Sequence, residues 1–89
     1  MKYDNPLILR FGAAYDLPPP VLYQLEVEVN IVLLGGDDEI TDATTRAIDF
    51  MEENEFAVSI DNTKHYRVCH VYDKYGRDLI IGISTEVEQ

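Results

Sequence analysis

Residues 21–34 read VLYQLEVEVNIVLL, which is the strongest regular pattern in the chain. Every second residue is apolar, and these positions are Tyr23, Leu25, Val27, Val29, Ile31 and Leu33. The residues between them are polar from position 24 to position 30, and such alternation is typical of a strand with one buried face. We therefore predict a long antiparallel strand, with Glu26 and Glu28 on its solvated face about 6.6–6.8 Å apart.

The residues before this stretch predict a first strand and a stiff connection. Residues 6–13 alternate as a strand does, and we expect Gly12 to mark a bulge or a close approach of the backbone. Residues 15–20 end in three consecutive prolines, which fix φ and favour an extended path. We interpret this segment as an elbow between two strands. The alternative is a docking segment for an aromatic groove.

Residues 37–55 have the pattern of one amphipathic helix. The residues expected on its core-facing side recur at three- and four-residue spacing and are Ile40, Ala43, Thr44, Ala47, Ile48 and Met51, flanked by Phe50. This spacing places them on one side of a helix. Asp38 or Thr41 is the expected N-cap, and the acidic residues near the start suit the positive end of the helix dipole.

Three short strands are predicted after the helix, at residues 56–60, 65–72 and 77–84. A hairpin loop joins the last two strands, and Gly76 is suited to a positive φ there. Residues 85–89 are expected to fray. The order along the chain is then β-β-α-β-β-β. It predicts an α+β fold with a single antiparallel sheet and one amphipathic helix packed on one face.

The negative charge of the chain is concentrated in residues 26–55. This stretch holds ten acidic residues and one base, Arg46, so it carries −9 of the net charge of −10. The acidic residues at helical spacing on the polar side of the predicted helix are Asp42, Asp49 and Glu53. Arg46, four residues after Asp42, can pair with it. Nucleic acid and anionic membranes are not expected as direct ligands because this surface repels both, whereas a basic protein is attracted.

The composition indicates one small domain over residues 1–89. With 46% hydrophobic residues the chain can bury a core, and its single cysteine excludes an internal disulfide. We expect no signal peptide, because no basic segment precedes a long apolar run, and no apolar run is long enough to span a bilayer. The expectation is a cytoplasmic protein, monomeric or homodimeric.

Two groups of carboxylates are candidate metal or catalytic sites. Residues 37–39 with Asp42 lack the alternate spacing of a calcium loop, and a solvated helix start accounts for them better. Glu26 and Glu28 share a predicted strand face, as a catalytic pair can, but no Lys or His lies near them in sequence. The pattern therefore favours surface roles for both groups.

A further candidate set of metal ligands or catalytic residues consists of His65, Cys69 and His70. His65 and Cys69 would lie about 13 Å apart along one strand face, and His70 would point to the opposite face. A small core side chain is the favoured role of Cys69. Together with the carboxylates, these residues lead us to predict that the chain is not an enzyme and holds no metal and no cofactor.

A patch of basic and aromatic residues is predicted on the last hairpin. Its members are Tyr66, Tyr72 and Tyr75 with Arg67, Lys74 and Arg77. Such side chains stack on bases or form hot spots at protein interfaces. Cross-strand packing of the tyrosines, with local ion pairs, is the alternative.

The charge pattern predicts a non-enzymatic inhibitor that engages a basic surface of a nucleic-acid-handling protein complex. The expected contact residues on the helix are Asp42, Asp49, Glu52 and Glu53, extended by Glu26, Glu28, Asp37, Asp38 and Glu39. The alternative is a small interaction or oligomerisation module whose charge serves only solubility.

In size and charge the chain resembles the small acidic inhibitors that phages make against host defences, including anti-CRISPR proteins and DNA mimics. It is similar in the same two respects to acidic immunity proteins and antitoxins. The resemblance implies a protein partner with a basic surface and no direct contact with nucleic acid. It rests on no sequence motif, so no residue role is carried over from these families.

Overall fold

The structure of the chain, a computed structural model, describes residues 3–34, 42–63 and 65–86, without the side chains of residues 3–7, 9, 10 and 86. Its elements are β1 (Tyr3–Phe11), a short 3₁₀ helix (Ala13–Asp16), α1 (Pro19–Leu34), α2 (Asp42–Glu53), β2 (Ala57–Asn62), β3 (Tyr66–Tyr72) and β4 (Asp78–Glu86). The mixed α+β class is confirmed. The predicted order β-β-α-β-β-β is wrong, because the second predicted strand is a helix.

Helix α1 occupies the stretch that predicted the longest strand. Its fully buried residues are Leu25, Val29, Val32 and Leu33. Their spacing places them on one face of a helix, whereas a strand would turn Val32 away from the other three. A length of 16 residues is also more typical of a helix than of a strand. The prediction of a strand over residues 21–34 is therefore wrong.

The misleading alternation has a physical cause in the packing of α1. The helix contacts β1, β3 and β4 in one direction and α2 in another. Half-buried Leu22 and Ile31 accordingly pack against the core beside its fully buried residues. A helix that packs against two neighbours does not need one wide polar face. Its polar residues can therefore alternate with apolar residues along the sequence, as they do in a strand.

The prediction that Glu26 and Glu28 lie on the solvated face of a strand is also wrong. Both carboxylates lie on α1 and are half-buried. Residues two apart on a helix point about 200° apart around its axis, so they do not form a pair on one face. The Oε1 atom of Glu28 instead accepts a hydrogen bond from Nε2 of Gln24 at 2.6 Å, at the i, i+4 spacing of a helix.

The connection between β1 and α1 is helical rather than an extended elbow. The predicted connector covers residues 15–20. Its first two residues, Tyr15 and Asp16, are the last two residues of the 3₁₀ helix Ala13–Asp16. Pro19 and Pro20 begin α1, whose first backbone hydrogen bonds reach the carbonyl of Pro18. Prolines are tolerated there because the first N–H groups of a helix have no partner within it.

Gly12 lies at the point where β1 leaves the sheet. A Cβ atom at this position would lie 2.5 Å from the backbone oxygen of Asp78, which no side chain can tolerate without a shift of the backbone. The N–H of Gly12 donates to the carbonyl of Leu79 at 2.8 Å. The predicted close approach of the backbone at Gly12 is confirmed.

The sheet is antiparallel and has four strands in the order β1-β4-β3-β2. Strands β2, β3 and β4 end within two residues of their predicted ends. The loop between β3 and β4 contains Gly76 with a φ of +81°, as predicted. Of the segment expected to fray, Thr85 and Glu86 belong to β4, and residues 87–89 lie outside the described residues.

Helix α2 confirms the predicted amphipathic pattern over the part of it that is described. Thr44, Ala47 and Met51 are buried, and Ile48 is half-buried. Ala43, which was placed on the same face, is exposed. The helix contacts α1 and β2, so both helices pack on the same face of the sheet. Its predicted start, with Ile40 and both expected N-caps, lies outside the described residues.

Two side chains of the sheet hold the C-terminal end of α1. Arg67 and Ser84 are cross-strand partners on β3 and β4, and both are buried. Nη1 of Arg67 donates to the carbonyl of Val32 at 2.9 Å, and Oγ of Ser84 donates to the carbonyl of Leu33 at 2.7 Å. The last carbonyls of a helix have no partner within it, so these bonds satisfy groups that burial would otherwise leave unpaired.

Candidate functional site

The outer face of α2 is the candidate site that sequence and structure share. Asp42, Asp49, Glu52 and Glu53 are all exposed on it. Their orientation follows from the buried face of the helix, because the residues that pack on the core fix which residues point away from it. The structure therefore places all four carboxylates of α2 that the sequence predicted as contact residues at the surface.

These carboxylates are not engaged within the described part of the chain. None of the four takes part in a hydrogen bond or an ion pair with another described residue. Arg46 is exposed, and the pair with Asp42 that the spacing permits is not formed among the described residues. The carboxylates are consequently available to cations from outside the chain.

The end of α2 shows how Glu55 differs from its acidic neighbours. The N–H of Phe56 donates to the carbonyl of Met51 at 2.9 Å and the N–H of Glu55 to that of Glu52 at 3.0 Å, which is the Schellman pattern. Glu55 takes the left-handed position of this pattern, with φ +67°. Its carboxylate lies 3.4 Å from Nζ of Lys74, and this contact raises the pKa of Lys74.

Of the other predicted contact residues, the two that the structure describes lie on a different helix. Glu26 and Glu28 lie on α1, half-buried, with Glu28 held by Gln24. Residues 37–39, the other predicted extension, lie outside the described residues. We therefore define the acidic face by Asp42, Asp49, Glu52 and Glu53 alone.

The predicted basic and aromatic patch is only partly present. Arg67 is not part of it, because its side chain is buried beneath α1. Lys74 and Arg77 are exposed but are held in ion pairs, with Nε of Arg77 at 2.6 Å from Oδ2 of Asp73. The side chain of Tyr75 is 75% exposed. The hairpin thus presents an exposed aromatic ring, whereas its exposed basic side chains are paired with nearby carboxylates.

A pocket of about 190 Å³ lies between this hairpin, the end of α2 and the segment before α1. Leu17 and Phe56 supply its apolar lining, and Tyr75 stands at its wall. Nζ of Lys74 lies 5.4 Å from the centre of the Tyr75 ring, within range of a cation–π contact. The size and lining suit one apolar or aromatic side chain rather than a drug-sized ligand.

A hydrogen-bonded network on β3 and β4 was not predicted. The Oη atom of Tyr72 and Nδ1 of His70 are hydrogen-bonded at 2.8 Å, and Nε2 of His70 lies 2.9 Å from Oδ1 of Asp78. The rings of His70 and Tyr72 are stacked, with centroids 4.0 Å apart. The sequence signal is the pair His70 and Tyr72 on one strand face, but Asp78 joins them through the exact register of β3 with β4, which includes a shift between Val71 and Tyr72. The network orders this face of the sheet.

Metal-ligating side chains do not converge in the part of the chain that is described: no group of three His, Cys, Asp or Glu residues there is arranged to hold a metal ion. The described helices include none that is long and apolar enough to cross a membrane.

Cys69 is buried in the core, as predicted. Burial raises the pKa of its thiol to about 12, and this outweighs the opposite effect of the nearby Arg67 charge. Since the thiolate is the reactive form, Cys69 is expected to react with a disulfide reagent such as DTNB at about pH 8 only as fast as the protein unfolds. In denaturant the reaction is expected to be immediate. A native-state rate well above the unfolding rate would contradict this burial.

Comparisons of the chain with known protein families, with curated proteins and with solved structures found no match.

Proposed function

We propose that the chain is a non-enzymatic binding protein that inhibits its partner by engaging a basic, nucleic-acid-handling surface. The observation that carries the proposal is the acidic face of α2, whose four carboxylates are exposed and not engaged by other described residues. Acidic surfaces of this kind speed encounter with basic partners and repel nucleic acid itself. The proposed partner is a basic protein or a nucleoprotein complex.

The charge density of α2 supports this choice of partner. The helix has 12 residues and is therefore about 18 Å long at about 1.5 Å per residue. From Asp42 to Glu53 the helix rises about 16.5 Å, so the mean axial spacing of its four carboxylates is about 5.5 Å, against about 3.4 Å of axis per phosphate in one strand of duplex DNA. Arg46 lowers the net charge of the row. A groove lined by lysine and arginine for a phosphate backbone therefore meets a row of charges of the same sign here, at a lower density.

The proposed place of action is the cytoplasm, where such complexes work, and this is the host cytoplasm if a phage encodes the chain. We propose that it acts as a monomer or a homodimer. No cofactor takes part in binding of this kind, because its driving force is the pairing of fixed charges across an interface.

Capture of partners from a cell lysate tests the proposal. We expect the native chain to capture a nucleic-acid-binding protein or complex at low salt and to lose it at high salt, because salt screens exposed charges. The combined variant Asp42→Asn, Asp49→Asn and Glu53→Gln is expected to lose the same partner. The reciprocal variant Arg46→Gln, which removes the one base in the row, is expected to retain it more strongly.

The matched control removes charge from α1 instead. Glu26→Gln with Glu28→Gln lowers the negative charge by two away from the acidic face and is expected to keep the partner. Circular dichroism of each variant shows whether the fold is retained. If the combined α2 variant captures the partner as well as the native chain, or if capture is unchanged by salt, the acidic face is not the binding surface.

A second candidate function is a small interaction module that uses the β3–β4 hairpin. It is favoured by the exposed ring of Tyr75 beside the apolar pocket at Leu17 and Phe56, since tyrosine beside a pocket is typical of interface hot spots. In that case Tyr75→Ala would abolish capture and the combined α2 variant would not. The charge would then serve solubility.

A further inference from the structure

Strand β2 is an open edge of the sheet. It pairs with β3 on one side, and on its other side the described residues supply no strand. The N–H of Thr63 donates to the carbonyl of Tyr66, so this pair is hydrogen-bonded, and alternate pairs back along the strand are too. Ser59 and Asp61 therefore bond to β3. The N–H and C=O groups of Val58, Ile60 and Asn62 face outward by the same alternation.

The edge lacks the usual features that prevent strand addition. Residues 57–62 contain no proline and no lysine, and their pairing with β3 runs without a bulge. The exposed side chains of β2 are Ala57, Ser59, Asp61 and Asn62, of which only Asp61 is charged. Within the described residues, these side chains leave the backbone edge open to an incoming strand, and the charge that such a strand would meet on β2 is negative.

The acidic face lies on the helix that packs beside this edge. Helix α2 contacts β2 and α1, whereas α1 covers β1, β3 and β4. A segment added along β2 would run next to α2. Its alternate side chains would point toward the side of the sheet that carries α2 and toward the side that carries Asp61. Val58 and Ile60 pack against the core, so the alternate Asp61 places negative charge beside the added segment on the side of the sheet opposite the helices.

We propose that β2 binds, by strand addition, an extended lysine- or arginine-bearing segment of the partner protein. This inference rests on the proposed function and adds the mode of binding: backbone hydrogen bonds to Val58, Ile60 and Asn62, with basic side chains matched to Asp61 on one side of the added strand and apolar side chains on the side of Val58 and Ile60. Strand addition draws affinity from backbone bonds and specificity from alternate side chains, so it suits a basic tail or loop.

A second copy of this chain is the less suitable occupant of the edge. Antiparallel pairing of two β2 strands about Ile60 would place Asp61 opposite Ser59 of the other copy, and the two Asp61 side chains would be diagonal neighbours at about 7–8 Å. Each copy also carries a net charge of −10, which opposes association. A basic segment meets attraction at the same positions.

The test uses the full chain and a defined peptide probe, a six-residue repeat of Lys-Val. Amide hydrogen exchange is followed by NMR with and without the peptide at millimolar concentration. The N–H groups of Val58, Ile60 and Asn62 are expected to exchange at least about tenfold more slowly when the peptide is bound. The N–H groups of Ser59 and Asp61 are expected to change little, because they are already bonded to β3.

A second probe separates strand addition from charge alone. The same peptide with every backbone amide methylated keeps its three lysine charges, but it has no backbone N–H to donate and its methyl groups keep it from approaching the strand edge, so it is expected to give no protection. Ser59→Lys places a like charge beside the added strand and is expected to weaken binding of the unmodified peptide by about two- to fivefold. Ser59→Thr is the matched neutral control and is expected to bind as the native chain does.

Three results would overturn the inference. The first is no binding of the Lys-Val peptide, and the second is binding that leaves the three outward amides unprotected or is equal for the methylated peptide. The third is protection of those amides in the free chain together with a dimer mass, which would assign the edge to a second copy. The proposed function is judged separately, by partner capture with the α2 variant.

Discussion

Replacing Leu25 with alanine is expected to lower the free energy of unfolding by about 3 kcal/mol. Leu25 has no exposed surface in the structure and lies in the core between α1 and the sheet. The smaller side chain removes the free energy of burying the leucine and leaves a cavity that the neighbours fill only in part. Urea unfolding followed by circular dichroism measures the loss.

The matched control for Leu25 is Tyr23. The alternating pattern places both residues on one strand face, whereas in α1 the Tyr23 side chain is 68% exposed. Tyr23→Ala is accordingly expected to cost less than about 1 kcal/mol. Equal losses of unfolding free energy for the two variants would contradict a helix and favour a strand over residues 21–34. The two variants therefore test whether this segment is a helix.

Replacing Arg67 with alanine is expected to cost a similar amount, about 3 kcal/mol. The buried guanidinium donates to the carbonyl of Val32 at 2.9 Å, and its Nε donates to Oδ1 of Asn62 at 2.8 Å. The variant removes both charge-assisted bonds and leaves the carbonyl at the end of α1 without this donor. The loss is measured by the same urea titration.

Two further variants show whether this loss comes from the anchor of α1. Ser84→Ala removes only the bond to Leu33 and is expected to cost about 1 kcal/mol. Arg46→Gln removes the same charge as the Arg67 variant at an exposed site and is expected to change stability by less than about 0.5 kcal/mol. If Arg67→Ala is no more destabilising than Arg46→Gln, the buried contacts do not anchor α1.

The elements that sequence reasoning predicted correctly are those whose pattern has one physical explanation. In α2, Thr44, Ala47 and Met51 follow a helical period and were found buried together. The last three strands are short and separated by turn residues, and Gly76 takes the predicted positive φ. In each case the local composition and the burial of one side favour the same element, so the amino-acid pattern alone is sufficient to predict it.

Helix α1 was mispredicted because its pattern has two explanations. Alternation of apolar and polar residues fits a strand, but Leu25, Val29, Val32 and Leu33 fit a helix face equally well. The length of the segment and the prolines before it favour the helix. Burial against two neighbours, the sheet and α2, removed the polar face that usually distinguishes an amphipathic helix.

The parts of the candidate site that lie on a single helix could be predicted from the sequence. The parts that depend on how strands pair, or on where a helix crosses the sheet, could not. The exposed carboxylates of α2 follow from the period of that helix alone. The network of Tyr72, His70 and Asp78 depends on how β3 pairs with β4. The burial of Arg67 depends on where α1 crosses the sheet, and an arginine on a strand is ordinarily read as an exposed residue.

Displacement of nucleic acid from the captured partner shows whether the acidic face of α2 occupies the nucleic-acid-binding surface. The partner is loaded with a labelled nucleic acid that it binds, and the native chain or the variant Asp42→Asn, Asp49→Asn, Glu53→Gln is titrated in. We expect the native chain to displace the label, and the variant to require at least about tenfold more protein for the same effect. A ternary complex that keeps the label, or equal displacement by both proteins, would contradict the account.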